Sequence, residues 1–226
     1  MLYKTSLNIE LSLFDKILKN LSKIDSKLIL NFPTGRFFYD SWEIKKELKG
    51  TCWEEILNTL PIDIGEARII KLEPETCYVS HADIDDRYHL NLQGEQCYLI
   101  DLDNKIMHQL KCDQIWYDMN AGILHTATNF GNYPRIQLVV RKLLLPNIIN
   151  DPIKIKIFPN LNNHDEVRYA FDVKISPWLN QANKQGIINN FVYENTNISF
   201  NLEKKFLNEI YKIIPQSLKI EHEYHY

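Results

Sequence analysis

Residues 68–144 read RIIKLEPETCYVSHADIDDRYHLNLQGEQCYLIDLDNKIMHQLKCDQIWYDMNAGILHTATNFGNYPRIQLVVRKLL. This stretch decides the fold. Short β-rich runs follow one another, separated by turn residues. The pattern predicts strands at about 68–73, 77–80, 87–92, 96–102, 105–110, 114–118, 122–127 and 135–144. Asp103-Asn104 is expected to close a two-residue hairpin, because Asn tolerates positive φ. Gln93-Gly94 and the run from Asn129 to Pro134 mark the other tight connections. About eight short strands at this spacing, with no helix between them, predict an antiparallel barrel or double-sheet jelly roll.

Working outward, Leu13, Phe14, Ile17, Leu18, Leu21 and Ile24 recur at three- and four-residue steps. They predict an amphipathic helix within residues 1–26, with Ser12 and Asp15 placed as a capping box. Lys27 to Asn31 reads as a short strand closed by Pro33-Thr-Gly35. Residues 41–60 read as two helical pieces split at Gly50 and stopped by Pro61, with Trp42 and Trp53 packing there. After Pro146 no clear period emerges until a second amphipathic helix from Asn201 to Ile214, with Leu202, Phe206, Ile210 and Ile213 on one stripe. Pro215 stops it, and the tail from His222 to Tyr226 is expected to fray. The expected class is mainly β with flanking helices (α+β). Residues 1–145 would hold the β core with N-terminal helices, and residues 146–226 a partly helical C-terminal extension.

Composition narrows the function classes. The 226 residues carry 26 basic and 29 acidic side chains. With no long basic run, an electrostatic nucleic-acid platform is not expected. No apolar stretch approaches the roughly 18 residues of a membrane span. The N-terminus lacks the apolar run of a secretory signal, so the expected compartment is the cytoplasm. Cys52, Cys77, Cys97 and Cys112 form no C-x-x-C pair and read as reduced core residues. Only six of the basic residues are Arg, so each is a candidate for bidentate work that Lys does poorly.

The chemistry concentrates at His81-Ala-Asp83. Residues two apart on a strand share a face, so both side chains can reach one metal. His125, in a β-like run 44 residues on, is the best third ligand. Two imidazoles and one carboxylate make the facial triad of non-haem Fe(II) sites. H-x-D alone is a common chance match; the β context, His125 and Arg135 ten residues beyond it raise its weight. Asp85 and Asp86 are alternative ligands with less suitable spacing. Arg87 reads either as a pocket residue or as an ion pair with Asp85 or Asp86. His89 reads as a pocket residue or a satisfied core imidazole. Trp116 and Tyr117 read as packing, Asn129 as ordering the following turn, and Arg141 as facing a carboxylate outside the pocket.

The stretch from Ala67 to Lys142 resembles the aspartyl/asparaginyl β-hydroxylase family of iron- and 2-oxoglutarate-dependent oxygenases, which includes bacterial cis-proline hydroxylases. The residues that carry the likeness are His81-Ala-Asp83, Arg87-Tyr-His89, the hairpin at Asp103-Asn104, Ile115-Trp-Tyr-Asp118, and His125 followed by Arg135. It departs at Asn91, where the family often has Pro, and in a shorter gap between H-x-D and R-x-H. The resemblance covers about a third of the chain. It implies a double-stranded β-helix of the jelly-roll, cupin-like kind. It implies Fe(II) held by His81, Asp83 and His125, with Arg135 pairing the distal carboxylate of 2-oxoglutarate and O2 as co-reactant. It places Arg87 and His89 in the cosubstrate or substrate pocket.

The expected reaction is hydroxylation of an amino-acid side chain of the Asp, Asn or Pro type, free or within a peptide. 2-Oxoglutarate would be decarboxylated to succinate and CO2. Two other readings stay open: a barrel that binds a small carboxylate without chemistry, and a cupin metalloenzyme that does not use 2-oxoglutarate. The partner is an amino-acid substrate, with no nucleic acid and no membrane. The oligomeric state is not encoded in any motif.

Overall fold

A computed structural model describes residues 1–21, 27–144, 146–160, 162–194 and 197–224. The chain begins with β1 (Leu2–Asn8), α1 (Leu11–Leu21), β2 (Lys27–Ile29), β3 (Asn31–Pro33), β4 (Trp42–Ile44), a 3-10 turn (Lys46–Leu48) and α2 (Cys52–Leu57). Its middle gives β5 (Ile64–Leu72), β6 (Thr76–Cys77), β7 (Arg87–Gln93), β8 (Cys97–Asp101), β9 (Ile106–Gln109), β10 (Ile115–Met119), β11 (His125–Asn129) and β12 (Arg135–Lys142). The remainder gives β13 (Pro152–Pro159), α3 (His164–Ala170), a π-helical turn (Phe171–Ile175), α4 (Ser176–Lys184) and β14 (Ile188–Glu194). It ends with β15 (Asn197–Glu203), a second 3-10 turn (Lys204–Phe206), α5 (Leu207–Ile213) and β16 (Leu218–Tyr224).

From β5 to β12 the chain passes back and forth between two antiparallel sheets. The larger has the order β1-β10-β7-β12-β5-β2 and the smaller β6-β11-β8-β9. This alternation is a double-stranded β-helix, and all eight strands expected between residues 68 and 144 are present. The fold is mainly β, as expected.

Burial along β7 and β12 shows where the site must be. Arg87 to Leu92 and Arg135 to Val140 are buried without a break. Period-two alternation sorts these side chains onto two faces. Tyr88, Leu90, Leu92, Ile136, Leu138 and Val140 join one apolar cluster with Phe14, Ile17, Trp53 and Ile56 of the N-terminal helices. The opposite face carries Arg87, His89, Asn91, Arg135 and Gln137, all buried. Burying five polar side chains on one sheet face is costly unless they serve each other or a ligand.

The N-terminal helices cover the outer face of the larger sheet. Thr51 caps α2 by accepting from the Trp53 amide. Trp116 on β10 is fully buried and its Nε1 donates to Thr59 Oγ1 at 3.0 Å. That bond satisfies the one polar atom of a large core side chain.

Residues after Pro146 build a third antiparallel sheet, β14-β15-β13-β16. Ile153, Ile155 and Ile157 alternate with Lys154 and Lys156, and the isoleucines are fully buried against Ile175, Leu179, Phe191 and Phe200. Phe38 and Ile84 of the preceding part pack on the same cluster.

The structure corrects several local expectations. Leu202 belongs to β15, where Ile198, Phe200 and Leu202 alternate into the core; only Leu207–Ile213 is α-helical. The overlap of a period-two run with a helical stripe at Leu202 hid the boundary. The tail does not fray at His222: β16 pairs with β13 from Ile153↔Tyr224 to Pro159↔Leu218. His225, Tyr226 and Ile24 lie outside the described residues. Residues 41–60 hold one α-helix, because Trp42–Ile44 pairs as a strand with Asn31–Pro33. The strand expected over Lys27 to Asn31 is broken at Leu30. Residues 2–8 form β1 on the sheet edge, paired with β10. Ser12 lies inside α1, whose first bonds run from Leu13 and Phe14 to the Glu10 carbonyl. In the 102–105 turn the positive φ falls on Lys105, at 58°, while Asn104 donates from its backbone N and Nδ2 to Asp101. Of the four free cysteines only Cys97 is buried; Cys77 and Cys112 are exposed and Cys52 is partly exposed. No described helix is long and apolar enough to cross a membrane.

Candidate active site

The two motif histidines are neighbours on the smaller sheet. His81 and His125 form an isolated antiparallel bridge, with paired N–H to carbonyl bonds of 2.9 and 2.8 Å. The bridge extends the β6–β11 pairing toward the barrel mouth. Their rings lie 4.5 Å apart, centroid to centroid. Asp83 is not on a strand, contrary to expectation. A 2.8 Å bond from its N–H to the Ala121 carbonyl turns it toward the same point.

Asp83 Oδ2 is 3.8 Å from His81 Nε2 and 3.7 Å from His125 Nε2. Those separations are too long for hydrogen bonds. One ligand atom from each residue lies within 4.8 Å of the others, the spacing of side chains that can share an ion. The tautomers fit that use. His81 Nδ1 is 2.8 Å from the Val79 carbonyl and His125 Nδ1 is 2.7 Å from the Ile123 carbonyl. A carbonyl only accepts, so both Nδ1 atoms donate and both Nε2 lone pairs are left for a metal. Burial, then the neighbouring His81, pushes His125 down to about 4, so it is neutral at pH 7.

The carboxylate is split between two tasks. Arg87 Nη2 takes Asp83 Oδ1 at 2.5 Å, while the buried Oδ2 has no hydrogen-bond partner. Burial alone would raise the Asp83 pKa; the charge of the Arg87 guanidinium, the largest opposing influence, holds the group below the usual carboxylate range. An ionised, orphaned oxygen beside two imidazole lone pairs is the donor set a divalent transition metal fits.

A cavity of about 340 Å³ runs inward from His81 and His125, between the two sheets, to Arg135. Arg135 is buried; Nη2 donates to Gln137 Oε1 at 2.7 Å and Nη1 has no partner. Burial pushes its pKa down from the ordinary value. No carboxylate pairs with it among the described residues. Tyr78 offers its ring face 5.9 Å from the guanidinium. Gln137 Nε2 donates to Asn91 Oδ1 at 2.6 Å, and Asn91 Nδ2 to the Lys111 carbonyl at 3.2 Å, which fixes the amide that holds Arg135. His89 lines the same cavity, and neither ring nitrogen has hydrogen-bond geometry to any partner among the described residues. A buried cation facing a cavity with unspent donors suits a carboxylate ligand.

Arg87 lines this cavity, but its Nη2 is shared by Asp83 and by Asp85 at 3.4 Å. It therefore joins the two open readings: a pocket residue that also makes a buried ion pair. Arg141 Nε lies 3.3 Å from Asp85 Oδ2, outside that cavity, as expected. Asp86 does not join the metal cluster; it accepts from Ala121 N and Asn180 Nδ2 and pairs with Lys184. Asn129 orders its turn, accepting from Gly131 N and donating to the Tyr133 and Leu72 carbonyls.

The sequence alone missed several contributors. Gln137 stands two residues beyond Arg135 on one strand face, a signal that was there to read. Asn180 and Asp172 come from the C-terminal extension. Asn180 Nδ2 donates to the Asp83 carbonyl at 3.3 Å, and Ala82 N donates to the Asp172 carbonyl at 2.9 Å. Gly122 lets Asn180 approach: a Cβ there would stand 2.5 Å from Asn180 Cγ. No motif marks these residues.

No family model and no curated protein sequence matches the chain. Solved structures with some similarity include a 2OG-Fe(II) oxygenase family oxidoreductase from Burkholderia pseudomallei, at 9% identity and a TM-score of 0.46, covering 62% of this chain and 83% of that one. A viral collagen prolyl hydroxylase from Paramecium bursaria Chlorella virus-1, in a 2OG complex, has 11% identity and a TM-score of 0.40, covering 62% and 94%. A cupin domain from Bordetella pertussis has 12% identity and a TM-score of 0.31, covering 36% and 84%.

Proposed function

We propose that this chain is an Fe(II)- and 2-oxoglutarate-dependent oxygenase that hydroxylates an amino-acid side chain. One observation carries the reading: the orphaned Asp83 Oδ2 stands beside the two Nε2 atoms of His81 and His125, and those histidines line a cavity that ends at a buried Arg135 whose Nη1 has no partner. His81, Asp83 and His125 would hold the iron, and Arg135 would pair the far carboxylate of 2-oxoglutarate. When bound, iron and 2-oxoglutarate supply O2 activation, with loss of CO2 and release of succinate coupled to insertion of one oxygen into a C–H bond.

The chain's own residues supply geometry. Arg87 holds Asp83 to one free oxygen. The Val79 and Ile123 carbonyls fix both imidazole tautomers. Gln137 and Asn91 hold Arg135 in place, and its burial strengthens its pairing with an anion.

The test is succinate release under air with Fe(II), 2-oxoglutarate and each standard amino acid or a short peptide containing it. The expected result is succinate formation stimulated by one substrate, with a product 16 mass units heavier by the mass of one oxygen atom. Succinate no higher than in Asp83→Ala for every substrate would reject the reading.

A further inference from the structure

A second cavity, about 560 Å³, opens on the other side of His81. It shares Tyr78 and His81 with the cosubstrate cavity, so it borders one of the three candidate metal ligands. Its remaining wall comes mostly from the C-terminal extension, including α3 and the π-helical turn. Its volume is within the roughly 300–1,000 Å³ range of small-ligand sites.

We infer that this cavity seats a free amino acid as its zwitterion, with Asp172 taking the ammonium group and Arg168 the carboxylate. The inference rests on the oxygenase reading and adds a substrate class to it. Four observations support it. First, Arg168 and Asp172 both line the cavity and lie four residues apart, on one face where α3 runs into the π turn. Opposite charges side by side match the two ends of a zwitterion. Second, they meet only through Arg168 Nε and Asp172 Oδ2, at 3.4 Å, and not as a bidentate fork. A half-exposed pair of this kind contributes little, so a ligand's own charges can replace it. Third, Asp172 is fixed relative to the metal cluster, because its carbonyl accepts from Ala82 N within the H-x-D motif. π-Helical turns often mark functional sites, and this one supplies the acid. Fourth, Asp172 and Tyr193 also line a smaller cavity of about 370 Å³ on the Asp83 side, so the acid stands where two cavities meet at the motif. The apolar wall at Val79, Val167 and Phe171 would take the substrate side chain.

The experiment uses the full chain loaded anaerobically with Mn(II) and 2-oxoglutarate, so that binding is read without turnover. Each of the twenty standard L-amino acids is titrated calorimetrically, together with its N-acetyl and carboxamide derivatives. At least one free amino acid should bind, and blocking either end should weaken it tenfold or more. Asp172→Asn should abolish the preference for the free amine, and Arg168→Gln the preference for the free carboxylate. Both variants should bind 2-oxoglutarate as wild type does, which also shows that they fold. If 2-oxoglutarate binds but no free amino acid does, or blocked derivatives bind equally well, this proposal alone falls. It also falls if both variants keep the wild-type discrimination. If wild type does not bind 2-oxoglutarate, the oxygenase reading falls and takes the proposal with it.

Discussion

Arg87 Nη2 holds Asp83 Oδ1 at 2.5 Å, and the other oxygen of that carboxylate faces His81 and His125 with no hydrogen bond of its own. One arginine thus determines which oxygen is free. Arg87 in turn leans on Asp85, and Asp85 on Arg141, so the carboxylate is anchored by a chain of alternating charges running away from the cavity.

Arg87→Gln removes that anchor. Breaking a buried pair from one side leaves its partner's charge uncompensated, at a cost of about 3–5 kcal/mol. Loss of a group that orients a metal ligand weakens metal affinity by roughly 10- to 100-fold. Mn(II) titration followed by chemical unfolding should show both losses. Wild-type metal affinity in the variant would mean that Asp83 is oriented by something else.

Arg135→Gln should separate cosubstrate from metal. Metal affinity stays near wild type, because Arg135 touches none of the three candidate ligands. Affinity for 2-oxoglutarate should fall by roughly 30-fold or more, the low end for removing one side of a buried charge pair. A calorimetric titration measures it, and an unchanged affinity would place the carboxylate elsewhere.

The buried His89 ties stability to pH. Burial, then the charges of Arg87 and Arg135, push it down to about 3. The unfolded chain takes up a proton near pH 6.5 that the folded chain refuses until far lower pH. Stability is therefore full above about 6.5 and is lost as pH falls toward 3. His125, pushed down to about 4, adds to the same slope. In the metal-free protein, His89→Gln should remove roughly half of the fall in melting temperature between about pH 6.5 and 4.5, above most carboxylate titrations. An unchanged slope would show that His89 is solvated in the native state.

Gly122→Ala tests the link between the extension and the metal motif. The added methyl would stand 2.5 Å from Asn180 Cγ, and Asn180 holds the Asp83 carbonyl. Overpacking of this kind costs about 1–3 kcal/mol. Thermal unfolding should show that loss, accompanied by weaker Mn(II) binding. Loss of stability with intact metal binding would mean that Asp83 does not depend on Asn180.

How much of this was legible depended on the range of the signal. The eight barrel strands could be read because their β-formers and turn residues are local. His81, His125 and Arg135 could be paired only through spacing and resemblance, and the structure brings all three to one cavity. The C-terminal sheet was harder. Ile153, Ile155 and Ile157 alternate clearly, but Leu202, Phe206 and Ile210 fit a helical stripe as well as a strand running into a helix, and local period alone cannot decide between them. Asp172 and Asn180 reach the motif through tertiary packing, which leaves no short-range mark.

The most direct test of the central claim needs no substrate. Fe(II) and 2-oxoglutarate are added without oxygen, and the visible metal-to-ligand charge-transfer band is recorded for wild type, His125→Ala and Arg135→Gln. The account expects a band in wild type, none in His125→Ala, and a band in Arg135→Gln only at much higher 2-oxoglutarate. Absence of the band in wild type, with no iron retained, would contradict it.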